Sequence, residues 1–216
     1  MKREIHAYDK LYLEQAMSTL ARMLDYAVND LKYDITEFFN LFISSDLARK
    51  FETGDPSVVA GRSGVELAYI VLETAGLKNN FVKPQYSADR SEEYWTGWAL
   101  AYYQWYTSLS FAEIIKYIPV SDIKDLYDPY HEMDIRQFCD RMNEMYKAAK
   151  PETNLKILRR ESGLSQSQLA AESGISVRTI QNYEQRVKDI NKAQADNLMM
   201  IAYVLNCSME DLMERI

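Results

Sequence analysis

Cysteine and histidine are scarce in this sequence of 216 residues, which contains two of each. Cys139 and Cys207 lie in different segments, which favours buried thiols in a reducing compartment over a disulfide framework. His6 and His131 have no neighbouring Cys/His cluster, so a zinc site is not expected. His131 stands beside Glu132, but no nucleophile accompanies the pair, and an enzyme is not predicted. The sequence therefore predicts no catalytic residues, no metal and no cofactor.

Long apolar runs are missing as well. No run approaches the roughly 18 residues that a membrane-spanning helix needs. The first ten residues, MKREIHAYDK, do not lead into the apolar core of a signal peptide. Hydrophobic residues make up 47% of the chain and charged residues 26%, which is typical of a globular protein. We therefore expect a cytoplasmic protein without membrane segments.

No stretch alternates apolar and polar residues clearly enough to predict a strand. From Tyr8 to Leu31, apolar residues recur at the three- and four-residue steps of a helix. Capping boxes at Ser63 and Ser110 open further helices. The short segment Lys147 to Pro151 then divides the chain into two domains, residues 1–150 and 151–216. An all-α protein is predicted, with an N-terminal helical bundle followed by a smaller helical domain.

The most aromatic helix is predicted from Ser91 to Ser108 and contains all three tryptophans of the protein. A central helix whose rings fill the core is the favoured interpretation, and an aromatic ligand pocket is the alternative. Gly97 is expected to let a neighbouring helix approach closely. The glycine-rich segment Glu52 to Gly64 is interpreted as a connection between helices, in preference to a phosphate site at a helix start.

Two short helical patterns flank a glycine turn between Leu164 and Gln185, LSQSQLAAESGISVRTIQNYEQ. Ser165 and Gln168 form a capping box for the first helix. Gly174 ends that helix, because glycine adopts left-handed backbone angles without steric cost, and Ser176 caps the second. The stretch therefore predicts two helices that meet at a tight turn.

The second of these helices has one apolar and one polar face. Ile180 is predicted to face the core, with Val177 and Tyr183 at the edges of the apolar face. The residues predicted to point outward are Arg178, Thr179, Gln181, Asn182 and Gln185. Such side chains match DNA bases, because Arg forks onto guanine, Asn and Gln onto adenine, and a Thr methyl meets a thymine methyl. We therefore expect base contacts from Arg178, Thr179 and Asn182, with Val177 available to a thymine methyl.

The spacing of these residues and their flanks resembles the lambda-repressor-like helix-turn-helix family. The matching positions are Leu164–Gln166, Leu169, Ala170, Gly174–Ser176, Ile180 and Glu184, with flanking matches at Leu155, Leu158, Arg159, Leu198, Ile201, Ala202, Leu205, Met209, Leu212 and Met213. The resemblance covers about Glu152 to Ile216. It implies a five-helix domain that binds double-stranded operator DNA as a homodimer. Two surfaces are candidates for the pairing of copies: the last helix, predicted from Ser208 to Ile216, and any exposed part of the aromatic helix.

The resemblance also assigns roles around the second helix. It implies that Gln166 contacts a phosphate and braces the recognition helix. Ser176, Gln185, Arg186 and Lys188 are candidate contacts to the DNA backbone. The family often has an Asn-Gly or Arg-Gly turn after the recognition helix, whereas this chain has a longer connection without glycine.

The formal net charge of −7 is unusual for a chain that binds DNA, but it is unevenly distributed. Residues 1–150 carry 17 Lys and Arg against 23 Asp and Glu, and residues 151–216 carry eight against nine. Six cations surround the two helices of the motif: Arg159, Arg160, Arg178, Arg186, Lys188 and Lys192. Local potential decides whether phosphates are attracted, so we expect weak binding by one copy and useful affinity from a dimer.

The role of residues 1–150 is open to three hypotheses. The segments Phe51 to Leu72 and Tyr94 to Tyr106 resemble small uncharacterised bacterial domains found beside lambda-repressor-like modules in proteins encoded next to toxin genes. This favours a regulator that is also an antitoxin, with its acidic domain bound to a cognate toxin and its other domain repressing the operon. The alternative is a one-component repressor whose N-terminal domain senses a small ligand. An enzyme with an attached DNA-binding module ranks last.

Overall fold

The computed structural model describes residues 6–77, 82–85 and 90–216. Every regular element within these ranges is a helix, which confirms the predicted all-α fold. The chain divides into two compact units, Met1–Ala149 and Lys150–Ile216, called here the N-terminal and C-terminal units. Among the described residues, no helix has both the length and the hydrophobicity to cross a bilayer.

The N-terminal unit begins with a 3-10 turn, Lys10–Tyr12, and its first long helix continues through a π-helical turn, Tyr26–Asp30. Its α-helices are α1 (Leu13–Asp25), α2 (Ile35–Ile43), α3 (Asp46–Glu52), α4 (Pro56–Val59), α5 (Gly64–Thr74), α6 (Glu92–Thr107), α7 (Phe111–Tyr117), α8 (Val120–Lys124), α9 (Tyr127–Tyr130) and α10 (Ile135–Ala149).

Helices α1 and α6 pack against each other at the centre of this unit. A Cβ atom at Gly97 of α6 would lie 2.7 Å from the Cα atom of Ala21 and 2.7 Å from the carbonyl oxygen of Leu20, so only glycine fits. The predicted close approach at Gly97 is therefore confirmed. Gly64 has the same role at the start of α5, where a Cβ atom would lie 2.5 Å from the backbone nitrogen of Met23. That glycine serves helix packing, which agrees with the interpretation of its segment as a connection between helices.

Aromatic rings fill much of the N-terminal core. Phe39, Phe42, Phe51 and Phe111 are completely buried, with ring centroids 5.6 to 6.3 Å apart. The predicted aromatic helix, α6, buries residues around most of its circumference, as a central helix does. A partly exposed stripe of four rings also runs along it, at Tyr94, Trp98, Tyr102 and Tyr106. Filling the core is therefore only part of what its aromatic residues do.

The C-terminal unit contains five α-helices, as the resemblance implied: α11 (Asn154–Glu161), α12 (Gln166–Ser173), α13 (Val177–Glu184), α14 (Ala195–Leu205) and α15 (Met209–Leu212). Its small core includes Leu169, Ile180, Ile201 and Leu212, each completely buried. The prediction that the last helix reaches Ile216 is wrong, because α15 ends at Leu212 and the remaining residues are not helical. Leu212 faces the core of its own unit and offers nothing to a second copy.

Candidate nucleic-acid interface

Local hydrogen bonds set the boundaries of α12 and α13. The Ser165 hydroxyl accepts from the Gln168 backbone N–H at 3.2 Å, and the Gln168 side chain accepts from the Ser165 N–H at 2.9 Å, which confirms the capping box. Gly174 ends α12 with a left-handed φ of 71°. The Ser176 hydroxyl then caps α13 by accepting from the Thr179 N–H at 3.1 Å. The two helices are thus separated by a three-residue turn, as the sequence predicted.

A buried ion pair fixes the far end of α13. Arg159 of α11 donates from Nε to Glu184 Oε1 at 2.5 Å and from Nη2 to Glu184 Oε2 at 3.1 Å. The side chains of Arg159 and Glu184 are only 10% and 2% exposed. The hydrogen bond to Glu184 raises the pKa of Arg159 above its usual value, so the guanidinium stays charged in the interior. Arg159 also donates to the carbonyl of Leu164 at 2.6 Å, just before α12 begins.

Gln166, the first residue of α12, joins the same network. Its Nε2 donates to Glu184 Oε2 at 2.8 Å, and its Oε1 accepts from Gln181 Nε2 at 3.4 Å. The start of α12 is therefore hydrogen-bonded to two residues of α13. Sequence reasoning counted Arg159 among the cations near the DNA and missed its pairing with Glu184. Arg159 and Glu184 both stand at positions that match the helix-turn-helix family, and this match was the sequence signal that could have revealed the pair.

The predicted base-contacting residues lie on neighbouring positions of α13. Arg178 is exposed, and among the described residues its side chain has no hydrogen-bond or ion-pair partner. Thr179 and Asn182 are half-buried, and the Thr179 hydroxyl shares a 2.8 Å hydrogen bond with Ser176. Val177 is half-buried and packs against the core. Residues three or four apart share a helix face, so Arg178, Thr179 and Asn182 form one patch.

The residues predicted to contact the DNA backbone differ in exposure and in position. Gln185 and Lys188 are exposed, while Gln166 and Ser176 lie at the N-terminal ends of α12 and α13. Arg186 adopts a left-handed φ of 55°, the conformation for which the family often uses a glycine in the turn after this helix. Its guanidinium points back to the start of the unit.

Arg186 is held there by three acceptors. Its Nη1 donates to the carbonyl of Pro151 at 2.8 Å, and its Nη2 lies 3.4 Å from the carbonyl of Glu152 and 3.5 Å from Glu214 Oε2. Asn191 holds the same tail, since Glu214 donates its backbone N–H to Asn191 Oδ1 at 2.9 Å. These contacts keep the residues after Leu212 out of a helix, and no local pattern in the sequence signalled them.

Ion pairs inside the unit neutralise most of the cations that surround the motif. Four of the six are paired: Arg159 with Glu184, Arg160 with Glu152, Arg186 with Glu214 and Lys192 with Asp189. Arg178 and Lys188 are left without an acidic partner among the residues that the structure describes. The positive charge available to phosphates is therefore smaller than the sequence count suggests.

Residues 155–212 match the helix-turn-helix family model. The C-terminal unit is a helix-turn-helix domain. Helix-turn-helix domains of this family occur in DNA-binding transcription regulators, and their second motif helix is the recognition helix, here α13. No curated protein and no solved structure matches the chain.

Proposed function

We propose that this protein is a transcriptional regulator that recognises a specific operator sequence with α13 and binds it as a homodimer. The exposed patch formed by Arg178, Thr179 and Asn182 carries this proposal. An unpaired guanidinium can fork onto guanine, and an asparagine one turn later can reach an adjacent adenine. Val177 borders the patch and supplies an apolar contact for a thymine methyl.

The contacts to the DNA backbone surround this patch. The candidates for phosphate contacts are Gln166 and Ser176, at the starts of two helices, and Gln185 and Lys188, after the end of α13. Arg186 has the weakest support, because its guanidinium would have to leave Glu214 and two carbonyls to reach DNA. Its left-handed backbone still shapes the loop that carries Lys188.

Dimer formation is supported by the shortage of unpaired cations. Phosphate contacts dominate the affinity for DNA, and each neutralised phosphate contributes through the release of counterions. One copy with two unpaired cations near its recognition helix would bind weakly. Two copies on half-sites about 34–36 Å apart would double the contacts and read a palindromic operator.

The direct test is binding of the full-length protein to labelled DNA from upstream of its own gene, followed by fluorescence anisotropy. We expect a preference over scrambled DNA of the same composition, and a footprint with two half-sites one helical turn apart. Equal affinity for both DNAs at several salt concentrations would contradict sequence-specific binding.

We further propose that the protein is the antitoxin and autorepressor of a toxin–antitoxin pair. The support is the acidity of residues 1–150, whose net charge of −6 suits a partner with a basic site for nucleic acid or nucleotides. Co-expression of the full chain should relieve growth arrest caused by the product of the adjacent gene. An adjacent gene product that is harmless alone, or that stays toxic in the presence of this protein, would contradict the antitoxin role.

Ligand sensing by the N-terminal unit is a second candidate, favoured by a different observation. Two cavities, of about 360 and 240 Å³, lie along α6. Tyr102, Trp105 and Tyr106 line the larger cavity, and the smaller one includes Trp95 and Trp98. In this case a small molecule, rather than a protein, would control DNA binding.

A further inference from the structure

The partly exposed rings of α6 recur every four residues, at Tyr94, Trp98, Tyr102 and Tyr106. Residues at this spacing lie one above another on the same helix face. A helix that only fills a core needs no large rings on its outer face, where polar side chains would cost nothing. Tyr102 and Tyr106 lie nearly parallel, with ring centroids 6.3 Å apart and planes tilted by 14°.

The larger of the two cavities lies at this C-terminal half of α6. Tyr102 and Tyr106 form its aromatic wall, together with the buried Trp105, on which His6 stacks with ring centroids 3.8 Å apart. Its volume of about 360 Å³ falls in the usual range for small-molecule sites, roughly 300–1,000 Å³. The cavity at the other half of α6 holds about 240 Å³, which is below that range. Size therefore favours the cavity beside Tyr102.

The same cavity collects unpaired positive charge. Lys10 and Arg136 line it, both are exposed, and neither forms an ion pair with any residue in the described part of the chain. Residues 1–150 carry a net charge of −6, so two unpaired cations at one cavity contrast with the charge of the domain as a whole. Asp140 also lines the cavity, where its carboxylate offsets one of the two positive charges and can accept a hydrogen bond, so the lining keeps one net positive charge.

Cys139 contributes an uncharged thiol to the lining. Burial raises the pKa of this thiol to about 12, so it remains protonated at neutral pH. It therefore acts as a small apolar contact and does not offset the positive charge of Lys10 and Arg136.

We propose that this cavity binds a small planar aromatic molecule that carries a carboxylate or phosphate group. The ring packs on Tyr102 and Tyr106, since offset aromatic pairs gain energy beyond their buried area. The anionic group meets Lys10 and Arg136 through charge-assisted hydrogen bonds, and Asp140 accepts from an N–H or O–H of the ligand. The proposal deepens the ligand-sensing candidate, on which it rests, and does not depend on DNA binding by the C-terminal unit.

Titration calorimetry on the full-length protein, without DNA, tests the site with three probes that share one ring system: indole-3-acetate, indole and tryptamine. Indole-3-acetate should bind about tenfold more tightly than indole, the gain expected from one charged hydrogen bond, and tryptamine should bind more weakly than indole. Adenosine monophosphate and adenosine form a second pair, which distinguishes a phosphate ligand from a carboxylate ligand. The proposal is overturned if neither anion binds at millimolar concentration, or if tryptamine binds as well as indole-3-acetate.

Substitutions locate the site. Arg136→Gln should weaken binding of the preferred anion about tenfold and leave binding of the neutral ring unchanged. Arg141→Gln is the matched control, because Arg141 is exposed on the same helix outside the cavity and pairs with Glu144 at 3.2 Å. Arg90→Gln, at the smaller cavity, should also have no effect. Loss of anion binding in Arg90→Gln but not in Arg136→Gln would place the site elsewhere and overturn the proposal. None of these readouts involves DNA, so their failure is distinct from failure of operator binding.

Discussion

In the N-terminal unit the central helix α6 is buried around most of its circumference, whereas the recognition helix α13 of the C-terminal unit buries one face only. On α13 the buried residues are Ile180, Tyr183 and Glu184, and the remaining positions meet solvent. On α6 apolar or aromatic residues occur on every side. A helix with one buried face leaves the other open to contact DNA, while a helix with neighbours on most sides leaves cavities beside it that a small molecule could enter.

The two units also hold their helices together by different interactions. At Gly97 the absence of a side chain lets α6 approach the backbone of α1, so the fit depends on shape. At Glu184 a buried carboxylate joins Arg159 and Gln166, so the fit depends on charge and hydrogen bonds. A shape-dependent contact is sensitive to one added methyl group, and a charge-dependent contact is sensitive to the loss of one ionised partner.

The largest expected effect is on the charge-dependent contact. Glu184→Gln keeps the size of the side chain but leaves Arg159 as a buried cation without a counterion, which should lower the free energy of unfolding of the C-terminal unit by about 3–5 kcal/mol. Urea denaturation followed by far-UV circular dichroism measures this change. Both helical units contribute to the circular dichroism, whereas all three tryptophans lie in the N-terminal unit, so comparison with the fluorescence transition isolates the change in the C-terminal unit.

Glu172→Gln is the control for this substitution, because Glu172 is exposed on α12. It should change the free energy of unfolding by less than about 0.5 kcal/mol. Equal effects of Glu172→Gln and Glu184→Gln would show that the buried pair does not hold the recognition helix.

The next effect concerns the shape-dependent contact. Gly97→Ala places a methyl group against the backbone of α1, which cannot move aside as a side chain can. The free energy of unfolding of the N-terminal unit should therefore fall by about 3 kcal/mol. Urea denaturation followed by tryptophan fluorescence reports on this unit alone. Gly76→Ala separates crowding from backbone strain, because Gly76 has a φ of 71° but open space around it. Gly76→Ala should lower the free energy of unfolding by only about 1 kcal/mol. An equal loss in Gly76→Ala and Gly97→Ala would contradict close packing at Gly97.

Features set by neighbouring residues could be predicted from the sequence. Ser165, Gly174 and Ser176 act on backbone groups no more than three residues away, so their spacing alone defines the helix-turn-helix motif. The ion pair of Lys192 with Asp189 is equally local. Counting cations without their nearby acids therefore overestimated the positive charge around the motif.

Features set by distant residues could not be predicted in this way. Arg186 is held by Pro151 and Glu214, which lie 35 and 28 positions away in the chain. The same limit applied to α6, where rings occur on every side of the helix, so the four-residue spacing of Tyr102 and Tyr106 did not show that their face is the partly exposed one. The helices packed around α6, which include α1, α8, α9 and α10, decide which of its rings are buried and which line a cavity.

Substitutions on the polar face of α13 should have a smaller effect, which is confined to DNA binding and to single base pairs of the operator. Arg178→Ala should weaken the free energy of binding to the operator by about 1–3 kcal/mol. It should also relax the sequence preference at one base pair, because the lost contact reads a base edge. Competition between the operator and variants changed at single base pairs measures this. If Arg178→Ala binds operator and random DNA with an unchanged ratio of affinities, Arg178 does not read the sequence.

The smallest effect should come from Lys188, whose charge is unpaired among the described residues. Lys188→Ala should weaken binding to every DNA sequence alike and reduce the slope of log affinity against log salt by about 1 for each protomer, because one phosphate contact is lost. Lys192→Ala is the matched control, since Lys192 is also exposed and lies four residues further along but pairs with Asp189 at 3.0 Å. Its removal takes away a charge that is already neutralised, so the slope should stay nearly constant. A slope that falls equally in both variants would mean that the internal ion pairs open on DNA, and that more cations than Arg178 and Lys188 reach the phosphates.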